Sequence, residues 1–543
     1  MSIVRFPGVR TAWVNVGLAV GAAIVLMISA GCSGTSKRQA ADPTVEMQNA
    51  GIDSVDRAAA FERAWASTSD SPKDRAVLRE AAKTLAWKVS TPMVVRTRIV
   101  TTLVNDTDPA GAADARTMAR LMISRETSRA MVAFLCELVS TRGWAECGPE
   151  LIRSYARPVR EVPDLQRGER VALTMLFPDR KLEDLVFDLF LHPESGSREG
   201  AGAGEGAGLI AEKSGTSARV DARNWDELLR SDCWDLLARL DADGTYRAEI
   251  LVGPVGASSS EPIVRDLRAC VAELKAVPLT GDELKWVRSL HDASKAGNAG
   301  WWAEASSAIA GLRTEQAKGL QVRHAEPVRW AKAHRAAWLA MSRAELLSEI
   351  SKRIEARDRY SRTGDDATNG IPVRQDLAFW AGSLRWGDLL TMLVLDDATR
   401  QPLMVAELFR HAEVDRRDTS TEMGGLIEPA AALKSGETGR SDDQFRARLF
   451  RPRSAERRGD EQFVASDDMV AAADRSTASY HFHAQNARNG EYAGPSVGDL
   501  QFAARSGRNC LVFTTVSRTR INVDYYQPDG VVVDLGSIDQ ASR

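Results

Sequence analysis

The chain has few residues of the kinds that often carry chemistry, with seven histidines and six cysteines among 543 residues. Its net charge is −3 and it has no long basic tail, which argues against a nucleic-acid-binding protein. It contains no C-x-x-C pair and no Gly-Lys-Ser/Thr of a phosphate-binding loop, so a nucleotide site is not indicated. Its composition, 44% hydrophobic and 27% charged, is typical of globular proteins, and its length predicts roughly two to four domains.

The first 32 residues differ from the rest. Two arginines and no acid precede an uncharged run from Val14 to Cys32, a pattern typical of a secretory signal peptide. The ending Ser-Ala-Gly-Cys resembles a bacterial lipobox, which would make Cys32 the lipidated residue, although Ser29 stands where a bulky aliphatic residue is usual. A transmembrane anchor is the alternative, because the run is almost long enough to span a bilayer. Both interpretations predict an exported, membrane-anchored protein at the periplasmic face or cell surface, a lipoprotein in the first and a protein with a transmembrane anchor in the second. Residues 33–54 are predicted to form a flexible tether.

Beyond Cys32 the number of cysteines is odd, so at least one thiol has no partner within the chain. An exported protein can pair some of them as disulfides. Two of them lie in apolar runs, which favours buried thiols. The five are Cys136, Cys147, Cys233, Cys270 and Cys510.

Residues 55–192 repeat apolar residues at helical spacing, in successive segments joined by short turns. The segment DRAVLREAAKTLAWKV, residues 74–89, is an example. The succession resembles a HEAT-like α-solenoid, and an irregular α-helical bundle is the alternative. Such arrays usually present a binding surface, so we expect a protein partner on the helical regions.

A linker rich in glycine and alanine is predicted over residues 193–221, and a second helical region over residues 222–398. Within this region, residues 326–362 predict one or two long amphipathic helices. The histidines here have no partner at metal-ligand spacing, which favours surface or packing roles for them. They are His291, His324 and His334.

From residue 399 to residue 537 the pattern predicts an α+β domain. Six strand-like segments occur, separated by loops and short helices, and the segment GVVVDLG follows a hairpin turn. The six are EMGGLIE, QFRARLFRP, TASYHFHA, CLVFTTVS, RINVDYYQ and GVVVDLG.

His481 and His483 occupy alternate positions of one predicted strand, so both imidazoles point to the same side of it. Asp499 lies in the first turn of the next predicted helix, and Ser496 lies at the N-cap of that helix. Two imidazoles and one carboxylate with an open fourth position are the donor set of a catalytic zinc site.

The order Glu, His-x-His, Ser-x-x-Asp resembles the JAMM motif of the JAB/MPN metalloprotease domain. The segment Thr421–Ile427 (TEMGGLI) resembles the family's glutamate strand, which makes Glu422 the matching acid, about 59 positions before His481. The segment GPSVGDLQFAARSGRNCLVFTT resembles the family's Ser-x-x-Asp helix and the strand after it. The resemblance covers residues 399–537, and it implies a three-layer α+β fold there.

The resemblance also implies an activity. Zn²⁺ would be held by His481, His483 and Asp499, with Glu422 as general base and Ser496 stabilising the oxyanion. The expected reaction is hydrolysis of a peptide or isopeptide bond in a protein or peptide substrate. Relatives in eukaryotes remove ubiquitin, which an exported bacterial-type chain would not meet.

Two departures from the family's motif bear on substrate preference. Phe482 replaces the usual Ser or Thr between the histidines, and twelve residues separate His483 from Ser496 where the family usually has seven. Two further acids could compete for the base role, Glu428 and Glu491, and both are expected to be solvated.

Two other functions are compatible with the sequence. A non-enzymatic scaffold would use the helical regions to bind partners, with a structural or degenerate metal domain. Hydrolysis of a non-peptide amide, for instance in a cell wall, is the third hypothesis.

Overall fold

The computed structural model describes residues 42–540 except 158, 160–161, 194–221, 362–373, 431–443, 460–462 and 485–491. The predicted signal segment with Cys32 lies outside the described residues, as do residues 33–41 of the predicted tether and the linker from residue 194. In the described part of the chain, every helix is too short or too polar to cross a membrane.

The chain divides into two compact units, Met1–Ala115 and Arg116–Arg543. The first unit is helical where it is described, and each of its longer helices buries one apolar stripe. Phe61, Ile99 and Leu103 are completely buried in it. Its helices are Pro43–Glu46, Ser54–Ser67, Pro72–Trp87, Met93–Val104 and the first part of Pro109–Arg125.

The second unit begins with further helices, which confirms that the N-terminal and middle regions are α-helical. Most are of about three turns or fewer, and many begin at a capping side chain or a proline. Up to residue 416 they are Arg129–Thr141, Gly148–Ala156, Gly168–Leu176, Leu182–Leu191, Ala222–Leu240, Thr245–Val252, Pro254–Ser258, Pro262–Glu273, Gly281–His291, Asn298–Ala310, Thr314–Ala317, Ala325–His334, Ala336–Ala340, Arg343–Glu355, Leu377–Trp380, Trp386–Thr399 and Pro402–Arg416.

The prediction of one or two long helices over residues 326–362 is wrong, because three shorter helices occupy that stretch. The backbone of Arg335 leaves the helical region, with φ −141° and ψ 47°, and ends the first helix. Ser342 starts the third, where its hydroxyl accepts from the Glu345 N–H and the Glu345 carboxylate accepts from the Ser342 N–H. This capping box stops the chain from continuing as one helix.

The C-terminal part of the second unit contains one six-stranded sheet, in the order β2-β1-β3-β4-β5-β6. All neighbouring strands are antiparallel except β3 and β4, which are parallel. Each of the six predicted strands is therefore confirmed, as is the hairpin between β5 and β6. The strands are β1 (Gly424–Pro429), β2 (Phe445–Phe450), β3 (Ala478–His483), β4 (Cys510–Ser517), β5 (Arg520–Tyr526) and β6 (Val532–Asp539).

Helices cover both faces of this sheet, which confirms an α+β region. One face packs against Trp386–Thr399 and Pro402–Arg416, in a core that extends from Cys270 to Ile538 and so joins the middle helices to the sheet. The opposite face packs against two helices, Val497–Ser506 and Asp467–Ala472.

A buried polar network ties the middle helices to the sheet. Arg323 donates to the Asp388 carboxylate at 2.5 Å and also to Asn509 and Tyr525, each at 2.8 Å. His324 Nδ1 accepts from the Gln321 N–H at 3.0 Å, and its Nε2 lies 2.9 Å from the same Asp388 oxygen. Every charge in this network is paired, as buried ions require.

The five cysteines of the described residues are buried free thiols. Burial raises the pKa of Cys136 and of Cys510, the latter to about 12. The expectation of buried thiols is thus met for both residues.

Candidate metal centre

Strand β3 delivers the two histidines to one side of the sheet. Because side chains alternate along a strand, His481 and His483 share a face while Tyr480 and Phe482 point into the core on the other face. The imidazole of His481 is 1% exposed, and it stacks on the ring of Phe463 with centroids 5.0 Å apart. Packing therefore fixes the His481 ring.

Glu422 reaches the histidines through the pairing of β1 with β3. Gly424 lies opposite His481, and the Phe482 N–H donates to the Met423 carbonyl, so the antiparallel register places Glu422 opposite His483. A Cβ on Gly424 would lie 2.5 Å from the Tyr480 carbonyl oxygen. Gly424, two residues after Glu422, is thus required for this close approach of the two strands.

Asp499 comes from the crossover that makes β3 and β4 parallel. A parallel pair needs a long connection, and here it contains the helix Val497–Ser506, whose first turn follows the end of β3 that carries the histidines. Ser496 is the N-cap, and its hydroxyl accepts from the Asp499 N–H at 3.3 Å. The Asp499 carboxylate in turn accepts from the Ser496 N–H at 2.7 Å, which orients it.

The four predicted side chains converge. His481 Nε2 and His483 Nε2 are 3.2 Å apart, and Asp499 oxygens lie 3.3 Å from the first and 3.8 Å from the second. Glu422 Oε1 lies 3.9 Å from His483 Nε2, and it offers a donor atom within 4.8 Å of both histidines. The structure therefore brings together every residue predicted to bind the metal or act as base, with Glu422 as the more distant carboxylate.

The tautomer of His483 is set by a backbone carbonyl. His483 Nδ1 lies 2.7 Å from the Tyr492 carbonyl oxygen, which can only accept a hydrogen bond. In the neutral ring Nδ1 therefore carries the hydrogen, and the lone pair lies on Nε2, facing His481 and Asp499. Fixing one ring nitrogen so that the other can bind a metal is the usual arrangement for histidine ligands.

The local charges are strongly coupled. Burial disfavours a charge on His481, yet the carboxylates of Asp499 and Glu422 outweigh it and raise its pKa. Burial likewise opposes the charge on Asp499, but His481 and His483 hold the pKa of that carboxyl well below its ordinary value. The site is therefore built to keep a buried carboxylate ionised beside positive charge.

The spacing of the donor atoms fits a tetrahedral cation. Ligand atoms at about 2.0–2.1 Å from a tetrahedral zinc ion lie about 3.3 Å from one another. His481 Nε2 lies 3.2 Å from His483 Nε2 and 3.3 Å from Asp499 Oδ1, and these two separations match that spacing. The 3.8 Å separation from His483 Nε2 is to the other carboxylate oxygen, Asp499 Oδ2. Two imidazoles with one carboxylate also suit Zn²⁺ chemically.

A cavity of about 900 Å³ opens beside the site, with Asp499 and Ser496 in its lining. Phe463 and Phe502 supply part of its wall, and Arg458 and Arg505 are its two cations. We call the side chains of Glu422, His481, His483 and Asp499 the donor cluster. A substrate in this cavity would therefore reach the donor cluster on the side of Asp499 and Ser496.

The two competing acids and two of the histidines considered from the sequence lie away from the donor cluster or outside the described residues. Glu428 lies in β1, half-buried and 3.7 Å from Arg448, and burial raises its pKa. Glu491 lies outside the described residues. His324 is held in the buried network, and His291 Nδ1 lies 2.8 Å from Asp266.

Sequence reasoning missed three neighbours of the site. Phe463 stacks on His481, the Tyr492 carbonyl holds His483, and Asp415 accepts from the Met423 N–H next to Glu422. Only Asp415 had a sequence signal, as an acid at the end of the helix before β1. The other two depend on tertiary contacts that no local pattern encodes.

Comparisons of the chain with family models, curated proteins and solved structures found no match. The interpretation of the site depends on its geometry and on the motif in the sequence.

Proposed function

We propose that the C-terminal region is a zinc-dependent amide hydrolase of the peptidase or isopeptidase type, related to the JAB/MPN metalloproteases. The observation that carries the proposal is the convergence of Glu422 and Asp499 on the facing Nε2 atoms of His481 and His483. The chain order of the motif, with its acid just before β1, its histidines on β3 and its aspartate in the following helix, supports the same conclusion.

His481, His483 and Asp499 would hold the ion. When bound, zinc supplies a water of lowered pKa and polarises the scissile carbonyl. The Tyr492 carbonyl and the Phe463 ring hold the two imidazoles in place, and the Ser496 N–H orients the Asp499 carboxylate.

Glu422 acts as the general base and then as the general acid. Its Oε1 lies 3.9 Å from His483 Nε2, which places the carboxylate beside the atoms that would hold the ion and its water. It accepts a proton as the water oxygen bonds to the carbonyl carbon. It returns that proton to the nitrogen as the C–N bond breaks, which leaves a carboxylate and an amine.

Ser496 stabilises the oxyanion in this proposal. Its hydroxyl accepts from the Asp499 N–H and keeps its own hydrogen for donation. The residue lines the same cavity as Asp499, where a substrate carbonyl would lie.

A matched pair of variants tests the base. We expect Glu422→Gln to retain zinc and to lower hydrolysis of a peptide library by at least about 100-fold. Glu428→Gln, a change to a half-buried acid of β1 outside the donor cluster, should retain full activity. Turnover by Glu422→Gln equal to that of the wild-type protein would show that the assigned base is wrong.

The scaffold hypothesis makes the opposite forecast. A structural or degenerate site binds the ion without any turnover, so zinc-loaded wild-type protein would leave every peptide and isopeptide of the library intact.

The anchoring of the chain at a membrane through Cys32 remains a prediction, testable by metabolic labelling with a fatty acid.

A further inference from the structure

The cavity beside the metal centre is the first of three that follow one another along the second unit. A second cavity, of about 370 Å³, shares Val470, Phe502 and Arg505 with the first. A third, of about 700 Å³, shares Lys285 and Ser289 with the second. The three cavities therefore adjoin one another from Asp499 to the middle helices, and we name them together the groove.

The wall of the groove near the site is apolar and open. Val470 is 54% exposed, and Phe463 and Phe502 are half-buried around it. The helix Gly281–His291 closes the groove on the far side, where the Trp286 Nε1–H donates to the Asp474 carbonyl at 2.8 Å. The groove is thus formed jointly by the sheet region and by the middle helices.

The charge of the groove differs from that of the chain. The chain has a net charge of −3, whereas eight arginine and lysine side chains and six carboxylates line the groove. One of the six is Asp499, which the metal would neutralise. The excess is clearest in the third cavity, which has five basic and three acidic side chains. The five are Arg230, Arg265, Lys285, Arg288 and Lys295.

We propose that the groove selects an extended polypeptide substrate that carries aspartate or glutamate residues to one side of the scissile bond. The scissile amide lies at the metal centre, apolar side chains lie against Val470 and Phe502, and acidic side chains reach Lys285 and Arg288. This inference rests on the proposed function, since it assigns the substrate of the same site. It gives the middle helices a role in substrate selection.

The length of the path supports a chain-like substrate. A small amide would fill only the first cavity, and it would leave the two further cavities without a function. An extended chain rises about 3.3 Å per residue, so its successive side chains can reach successive cavities of the groove. Basic side chains at exposed positions steer and hold an acidic chain by long-range attraction that salt screens.

Binding is tested apart from catalysis in full-length Glu422→Gln protein. The probe is a fluorescein-labelled peptide with an apolar segment next to four glutamates, and its matched partner has glutamines instead. We expect the acidic peptide to bind at least about tenfold more tightly, with an affinity that falls as salt rises from about 50 to 300 mM. Equal binding of both peptides overturns the proposal.

Charge-reversal variants locate the binding. Lys285→Glu with Arg288→Glu should weaken binding of the acidic peptide at least about tenfold. The control is Lys73→Glu with Lys352→Glu, which makes the same change of charge at exposed positions outside the groove. Equal losses in both pairs would show that net charge, rather than the groove, governs binding.

Activity separates the two proposals. In protein that retains Glu422, the charge reversal at Lys285 and Arg288 should raise KM for the acidic peptide and leave kcat unchanged. Hydrolysis without preference between the two peptides overturns the inference and leaves the proposed function standing. Tight, groove-dependent binding of the acidic peptide without hydrolysis by zinc-loaded wild-type protein contradicts the proposed function alone.

Discussion

Two buried histidine clusters in the second unit invite comparison. In one, His324 Nε2 lies 2.9 Å from Asp388, and in the other, His481 Nε2 lies 3.3 Å from Asp499. Both contain a buried imidazole beside a buried carboxylate. They differ in what surrounds that pair.

The His324 cluster is complete without an added ion. Its Nδ1 accepts from the Gln321 N–H, and Arg323 neutralises Asp388. Burial, followed by the charge of Arg323, lowers the pKa of His324 to about 4, so the ring is neutral. Such a network is structural.

The donor cluster at His481 is arranged differently. A second histidine turns its Nε2 lone pair toward the first, and the carboxylates of Asp499 and Glu422 face the pair. Donor atoms gathered at one point are expected to be neutralised by a cation. The comparison teaches that the arrangement of partners, rather than the presence of histidine and aspartate, separates a metal centre from a structural network.

A third buried titratable group, Glu283, shows what a buried carboxyl does to stability, and its replacement has the largest expected effect. Glu283 is 1% exposed, and burial raises its pKa to about 8. Between its ordinary pKa of 4.5 and about 8 the folded protein binds more protons than the unfolded chain, so stability falls as pH rises through this window. Glu283→Gln should remove that fall and stabilise the protein at pH 8 by on the order of 4 kcal/mol.

Urea unfolding at several pH values measures this effect. Glu315→Gln, an exposed change with no buried charge, is the control and should leave the pH profile as in the wild-type protein. A wild-type profile that is flat from pH 5 to pH 8 would contradict the account.

A pair of histidine variants breaks the comparison directly. His324→Ala should destabilise the protein by about 3 kcal/mol, because it leaves the Gln321 N–H and part of Asp388 without partners, yet zinc binding should persist in the folded fraction. His481→Ala should abolish zinc binding. Thermal denaturation and metal analysis of both proteins measure the two effects, and zinc loss in His324→Ala with retention in His481→Ala would reverse the assignment.

A pair of capping serines gives the smallest effect. Ser496 and Ser342 form the same capping box, with serine hydroxyl distances of 3.3 Å in both. Replacing either by alanine should cost about 1 kcal/mol of stability. Only Ser496→Ala should also lower kcat, and an equal kcat in both variants would show that Ser496 is a cap alone.

The sequence predicted more of the sheet region than of the helical regions. Each strand is a short segment of strand-forming residues between loops, and the His-x-His spacing places both imidazoles on one face without any tertiary information. The prediction of one or two long helices over residues 326–362 follows the apolar stripe alone. It overlooks the Ser-Arg-Ala-Glu signature that starts a new helix at Ser342. That signature is local, so the boundary could have been found.

Other features could not be predicted from local patterns. The position of Glu422 opposite His483 follows from the pairing of β1 with β3, which no local pattern in either strand encodes. The Tyr492 carbonyl and the network of Arg323 with Asn509 and Tyr525 join residues far apart in sequence. Such contacts depend on the packing of the middle helices on the sheet.

The central claim is that the donor cluster of His481, His483, Asp499 and Glu422 binds a metal. The most direct test is elemental analysis of the full chain after dialysis against zinc and then against buffer. The account predicts about one zinc ion per wild-type chain and close to none in His483→Ala. Wild-type protein that holds no zinc, or a His483→Ala variant that holds as much as the wild type, would contradict it.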